Sequence, residues 1–194
     1  CEKVYKAGSG EARVDIALSA APGARLAWLP QEMILFDRSA FRRTMEVDLA
    51  QGASCLIVEA TILGRAAMGE TVRAARFRDR WRVRVDGRLV HAEDFRFDGD
   101  ASAIFARTAN GRGATAFATV LAVGGNAVDR VAEVRRALAG RRGVLAGASA
   151  WNVAGNGKLL ARLAAKDGYC LRNTLAPLIG LLNGRAGLPR IWTS

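Results

Sequence analysis

Apolar and polar positions alternate with period two over most of the first 125 residues. Val14, Ile16 and Leu18 are interleaved with Arg13, Asp15 and Ala17, as in a half-buried strand. Pro22-Gly23 marks a turn, after which Leu26 and Trp28 lead into Leu29-Pro30. Met33-Ile34-Leu35-Phe36 is a short apolar run closed by Asp37. Met45, Val47 and Leu49 form another strand, closed at Gln51-Gly52. Cys55 to Leu63 is a longer apolar run broken by Glu59, and Gly64 to Glu70 reads as a loop. The plainest strand follows. Phe77, Trp81, Val83 and Val85 share one face, while Arg76, Arg78, Arg80, Arg82 and Arg84 share the other, because strand side chains alternate sides. Asp86-Gly87 signals a hairpin, and Leu89 to Phe97 is the return strand. Asp100 to Gly113 is polar and is expected to be irregular, and Thr115 to Val123 is again a strand.

The pattern changes in the last third. Ala127, Val131, Val134 and Leu138 fall on one helical face, with Asn126 as the expected N-cap and Gly140 past the end. Val144–Val153 and Leu159–Ala164 read as a hairpin across Gly155-Asn156-Gly157. Asp167 is placed to cap a last helix carrying Leu171, Leu175, Leu178 and Leu182, which Pro177 is expected to kink or split. Leu188 to Trp192 reads as extended. The expected fold is therefore mainly β, with about two helices in the C-terminal third, in one domain over residues 1–194 that is β-rich to 125 and mixed α/β from 126.

One echo sharpens this. Leu18, Gly23-Ala24, Leu26 and Ile34-Leu35 recur as Leu49, Gly52-Ala53, Cys55 and Ile62-Leu63. The offset is 29 residues at the Gly-Ala pair and 28 at the Ile-Leu pair. A strand–turn–strand unit repeated at this period points to stacked, β-helix-like coils.

Charge brings in a competing picture. Lys+Arg number 29 against 18 Asp+Glu, a net charge of +11, and only four of the cations are lysine. A basic β protein that binds nucleic acid is one reading. Against it, aromatics are only 7% and the arginines alternate with core residues rather than with stacking aromatics. Residues 1–97 hold 16 cations and 13 anions; residues 98–194 hold 13 and 5. The five-arginine face thus lies in the balanced half. It reads either as a solvated face paired with Glu93 or Asp94, or as a docking surface for an acidic partner.

Several chemistries are disfavoured. A lone His91 makes no multi-histidine metal site, and no CxxC, GxxxxGK[ST] or complete nucleophile elbow occurs. Cys1, Cys55 and Cys170 are far apart and make no disulfide framework, which fits a reducing compartment such as the cytoplasm. No apolar run is long enough for a transmembrane helix, and no signal-peptide pattern is present. The chain starts with Cys1, mid-pattern, as a fragment would.

Lys3-Val4-Tyr5, Leu29-Pro30-Gln31-Glu32-Met33-Ile34-Leu35-Phe36-Asp37, Gly64-Arg65-Ala66-Ala67-Met68-Gly69-Glu70, Asp79-Arg80-Trp81 with Asp86-Gly87-Arg88, Gly147-Ala148-Ser149-Ala150-Trp151-Asn152 and Leu188-Pro189-Arg190-Ile191-Trp192 follow one another along the chain. In these segments the sequence resembles the UreD (UreH) family of urease accessory proteins. The resemblance implies a helix-poor, β-helix-like scaffold without enzymatic activity of its own. It implies partners UreF, UreG and the urease apoprotein, nickel delivery to urease, and GTP hydrolysis confined to UreG. It also implies further N-terminal strands, with a glycine-rich segment, ahead of Lys3-Val4-Tyr5. No tightly bound cofactor, nucleic acid or membrane is expected.

A nickel chaperone must release its ion, which suits carboxylates better than a cage of thiolates and imidazoles. The candidates are Glu32, Asp37, Glu59 and Glu70, taken as lining a passage for the metal. Glu59 stands out because a carboxylate inside an apolar run must be paired, hydrogen-bonded or given a metal. Each also has a structural reading: Asp37 as a turn cap, Glu32 bonded to backbone after Pro30, Glu59 paired with an arginine such as Arg65. Cys55 reads as a small core residue, and neither Cys1 nor His91 is taken as a ligand.

Overall fold

The computed structural model describes residues 1–65 and 68–193. It contains β1 (Glu2–Val4), β2 (Ala12–Ala20), β3 (Arg25–Trp28), β4 (Met33–Leu35), β5 (Ala40–Leu49), β6 (Ser54–Leu63), β7 (Ala75–Val85), β8 (Arg88–Gly99), α1 (Ala101–Ala106), β9 (Ala116–Val123), α2 (Val131–Leu138), β10 (Val144–Val153), β11 (Asn156–Ala165) and α3 (Gly168–Asn183). Among the described residues the strands form two open sheets. One runs β1-β4-β6-β9-β11-β10, with β3 also on β6; the other runs β2-β5-β7-β8.

The internal echo is the register of the parallel stack. β2 pairs in parallel with β5, Ala20 opposite Leu49, and β3 with β6, Arg25 opposite Ser54; both offsets are 29. β4 pairs in parallel with β6, Ile34 opposite Ile62, an offset of 28. The corner glycines Gly23 and Gly52 both have positive φ, where a side chain would be strained, and they stack on each other. β7 adds a third parallel layer to β5, and β8 closes that sheet as the hairpin partner of β7.

β6 is apolar at nearly every position because both its faces are covered. Leu56, Val58 and Ala60 pack with α2, α3 and the β9–β11 face in one core. Cys55 and Ile57 face the other sheet, against Met45, Trp81 and Val83. A third cluster, built on Phe41, Phe77, Phe97 and Phe105, fills the other end of the space between the sheets.

Four expectations are corrected. Asp100–Gly113 is not wholly irregular: Asp100 accepts from the Ala103 amide at 2.9 Å and starts α1, whose Phe105 is buried. α2 begins at Val131, and Asn126 does not cap it; Arg130 precedes it with no side-chain cap. Pro177 does not split the last helix, which runs unbroken from Gly168 to Asn183. A proline inside a helix costs about 3 kcal/mol, through its missing N–H and the clash of its ring with the preceding turn, whereas burying Leu171, Leu175, Leu178, Ile179 and Leu182 contributes about 1.5–3 kcal/mol each. Asp167 does cap α3, accepting from the Cys170 amide at 2.7 Å. Finally, Arg190–Trp192 is a 3₁₀ turn rather than extended, because Trp192 is buried and its Nε1 donates to the Leu29 carbonyl at 3.0 Å. The β10–β11 turn is Ala154-Gly155, both at positive φ, as a two-residue hairpin of this hand requires.

Candidate functional site

The inward face of β5 reads Phe41, Arg43, Met45, Val47, and that of β7 reads Phe77, Asp79, Trp81, Val83. The register places Arg43 directly opposite Asp79. A cation and an anion therefore sit in rungs that are otherwise apolar, between the Phe41–Phe77 and Met45–Trp81 rungs. Across the gap β6 offers Glu59, at the point where the strand changes partner from β3 to β4. Arg43 is 3% exposed, Glu59 6% and Asp79 7%. One buried charged layer thus separates the two apolar clusters that fill the space between the sheets.

Each buried side-chain nitrogen and oxygen of the layer has a hydrogen-bond partner. Arg43 Nε donates to Asp79 Oδ1 at 3.0 Å and Nη2 to Asp79 Oδ2 at 2.5 Å, the planar fork matching the carboxylate. Arg43 Nη1 donates to Glu59 Oε2. The remaining oxygen of Glu59 accepts from Trp28 Nε1 at 2.7 Å, and Asp79 Oδ1 also accepts from Trp81 Nε1 at 2.7 Å. Burial pushes Glu59 up to about 7 from its ordinary 4.5, with the Asp79 charge adding to the rise and Arg43 and Trp28 opposing it. Burial disfavours the Arg43 cation, but the Asp79 hydrogen bond and the two carboxylate charges outweigh it and hold Arg43 above its ordinary value. Glu59 and Arg43 also line a cleft of about 340 Å³ with Glu2, Trp28, Gln31 and Ile191. The charged layer therefore has an opening to the outside.

The other carboxylates lie elsewhere. Asp37 and Glu70 come together: Glu70 accepts from the Asp37 amide at 3.2 Å and from Arg65 Nε at 2.9 Å. Asp37 in turn accepts from the Arg73 and Ala74 amides at 2.7 and 2.9 Å. The Ala74 bond leads the causes that hold Asp37 below the ordinary carboxylate range. Burial works to raise Glu70, but its bonds from Arg65 and Asp37 prevail and lower it. Ala66 and Ala67 of the same loop lie outside the described residues. Glu32 is buried near the C-terminal end, where Oε2 accepts from Arg172 Nη1 at 2.6 Å while Oε1 has no partner among the described residues. Arg65 pairs with Glu70 rather than with Glu59. Among the described residues no three His, Cys, Asp or Glu side chains are grouped to hold a metal ion.

The arginine face of β7 is interlaced with carboxylates. Arg78 pairs with Asp94 and Arg84 with Glu46; Arg82 donates to the Trp81 and Glu93 carbonyls, and Arg76 to the Gly10 carbonyl. The Glu93 side chain goes instead to Arg162, at 2.5 Å. Burial pushes the Cys55 thiol up to about 12 and holds His91 down to about 4, the latter aided by Lys158, Arg162 and Arg82.

Arg43, Asp79 and Trp28 are not among the candidate site residues drawn from the sequence, although Asp79 stands in one of the segments that carry the resemblance. The available signal was parity: Arg43 and Asp79 each occupy the apolar phase of an alternating strand, the same anomaly that drew attention to Glu59.

The chain matches the model of the UreD urease accessory protein family over residues 1–193. Over 193 residues it is 54% identical to the urease accessory protein UreD of Mesorhizobium japonicum, 54% identical to UreD 1 of Brucella melitensis and 53% identical to UreD 1 of Brucella abortus. In each case the similarity spans the whole of this chain and 68% of the relative. This chain belongs to the UreD family of urease accessory proteins.

Proposed function

We propose that the chain is a non-catalytic scaffold of urease maturation, which joins the urease apoprotein with UreF and UreG and gives nickel a route toward the urease active site. The observation that carries this reading is Glu59, a carboxyl group 6% exposed that nevertheless borders an open cleft. Nickel in transit is a substrate here. A carboxylate already shared with Arg43 and Trp28 offers an ion a weak, replaceable contact, whereas a full set of thiolate and imidazole ligands would retain it. Glu32, with one oxygen unpartnered among the described residues, and the Asp37–Glu70 pair are proposed as further weak contacts. The hydrolysis of GTP belongs to UreG in this reading, and the chain needs no resident cofactor.

The arginine face of β7 is proposed as a partner surface. Arg80 has no partner among the described residues, so an incoming carboxylate can engage it without breaking an internal pair. No helix among the described residues is long and apolar enough to cross a membrane, and Cys1, Cys55 and Cys170 are free thiols; a cytoplasmic setting is proposed. Co-purification of the protein with UreF, UreG and urease apoprotein tests the assembly. Reversal of Arg78, Arg80 and Arg82 to glutamate in a folded protein is expected to reduce recovery of the complex by about tenfold or more. Undiminished recovery would sink the docking role, and failure of the wild-type protein to co-purify would sink the scaffold reading. Salt-titrated binding of duplex DNA, with a steep slope, would favour the nucleic-acid alternative.

A further inference from the structure

The far end of the molecule carries a second cavity, unrelated to the charged layer. It has a volume of about 380 Å³ and is lined by Phe95, Phe105, Phe117, Leu145, Gly147 and Arg162. The rings form a continuous aromatic floor: Phe95 lies 5.1 Å from Phe117, and Phe105 stacks on Phe117 at 5.4 Å. One wall is β10, the terminal strand of its sheet. β10 contains no charged residue, and its odd positions carry Leu145, 44% exposed, and Trp151, 40% exposed. These two lie six positions apart on one strand face, or about 20 Å at a strand's rise. Gly147 and Ser149 lie between them, so the face is uncharged throughout with an apolar side chain at each end, a span that exceeds a small metabolite and matches an extended protein segment.

The unpaired charges next to it are cationic. β9, β10 and β11 contribute no carboxylate, and their two cations are already engaged: Lys158 is buried with its ammonium on the Val90 carbonyl, and Arg162 is paired with Glu93. The loop 107–113, which supplies Asn110 to the wall, adds Arg107 and Arg112, both exposed, and again no carboxylate. Glu93, reaching over from β8, is already consumed by Arg162. We infer that this cavity and the adjoining face of β10 bind an acidic protein segment that inserts a bulky apolar side chain between Phe95, Phe105 and Phe117. The inference does not rest on nickel passing through the chain.

Gly147 makes the test selective. A Cβ there meets nothing within 4 Å and its φ lies outside the left-handed region, so a larger side chain is accommodated by the fold and projects into the cavity's space. The probe is a fluorescently labelled, glutamate-rich synthetic peptide with a Phe and a Leu six positions apart, titrated into the whole chain and followed by anisotropy. Saturable binding is expected, weakened about tenfold or more by Gly147→Leu, by the pair Arg107→Glu and Arg112→Glu, or by Phe→Ser in the peptide. Circular dichroism and the thermal midpoint verify that the variants fold. Equal binding to the Gly147→Leu protein, equal binding of a lysine-rich peptide, or no binding at all would each overturn the inference. So would a dimer in sedimentation that dissociates with Gly147→Leu, since the occupant would then be a second copy of the chain.

Discussion

Replacing Arg43 with alanine is expected to destabilise the protein by about 3–5 kcal/mol, the cost of breaking a buried ion pair from one side. Arg43 is the sole cation contacting Glu59 and Asp79 among the described residues, and both carboxylates are below a tenth exposed. Without it two anions face each other in an apolar slab. The loss has a defined pH dependence. A carboxylate whose folded pKa is raised favours the folded state below its unfolded value and loses that contribution as pH rises through the folded one. For Glu59 in the wild type that window runs from 4.5 to about 7. Removing Arg43 removes the opposing pull, so the variant's deficit should be greatest near pH 8 and smallest near pH 5. Urea unfolding of both proteins across this range measures it. Neutralising the whole layer, as Arg43→Met with Glu59→Gln and Asp79→Asn, should recover most of the lost stability, because no unpaired charge remains. A pH-independent deficit, or no rescue, would show that Arg43 acts by packing alone.

Phe77→Ala is expected to cost about 3–5 kcal/mol, the usual range for a buried ring replaced by a methyl group. Phe77 is 2% exposed and touches four other rings: Phe41 at 5.9 Å, Phe95 at 6.0 Å, Phe97 at 5.3 Å and Phe117 at 5.9 Å. It joins β5, β7 and β8 of one sheet to β9 of the other. Its four neighbours cannot close the gap together, since each is fixed in its own rung. Phe77→Leu should cost clearly less, because most of the volume is kept. Chemical denaturation distinguishes the two, and a Phe77→Ala protein within 1 kcal/mol of wild type by this order-of-magnitude scale would mean that the aromatic cluster collapses around the gap.

The strand pattern was legible because each β-strand shows its two faces in sequence, and the parallel stack because the 29- and 28-residue echo is literally its register. Pairing between distant strands was not legible: nothing local says that β9 lies between β6 and β11. Local rules failed where burial overrode them, at Pro177 inside α3 and at Trp192, whose anchoring curls the end of the chain. At the candidate site, Glu59 was visible as a charge in an apolar run. Arg43 and Asp79 carried the same signal, but each was hidden among half-buried charges of the other phase, Arg42 and Glu46 around one and Arg78 and Arg80 around the other. That the three meet is a consequence of inter-sheet packing, which no single strand records.

The proposed nickel route is tested most directly by the nickel content of urease matured in the presence of the Glu59→Gln protein. Glutamine retains the size of the side chain and its one oxygen can still accept from Trp28 Nε1; its amide then faces Arg43 Nη1, but Arg43 keeps both bonds to Asp79, so fold and assembly should persist at reduced stability while the anion is removed. With the maturation complex recovered at wild-type yield, nickel per urease active site is expected to fall by about tenfold, and further when Glu70→Ala is added. Full nickel loading by both folded variants would contradict a carboxylate-lined route through this chain.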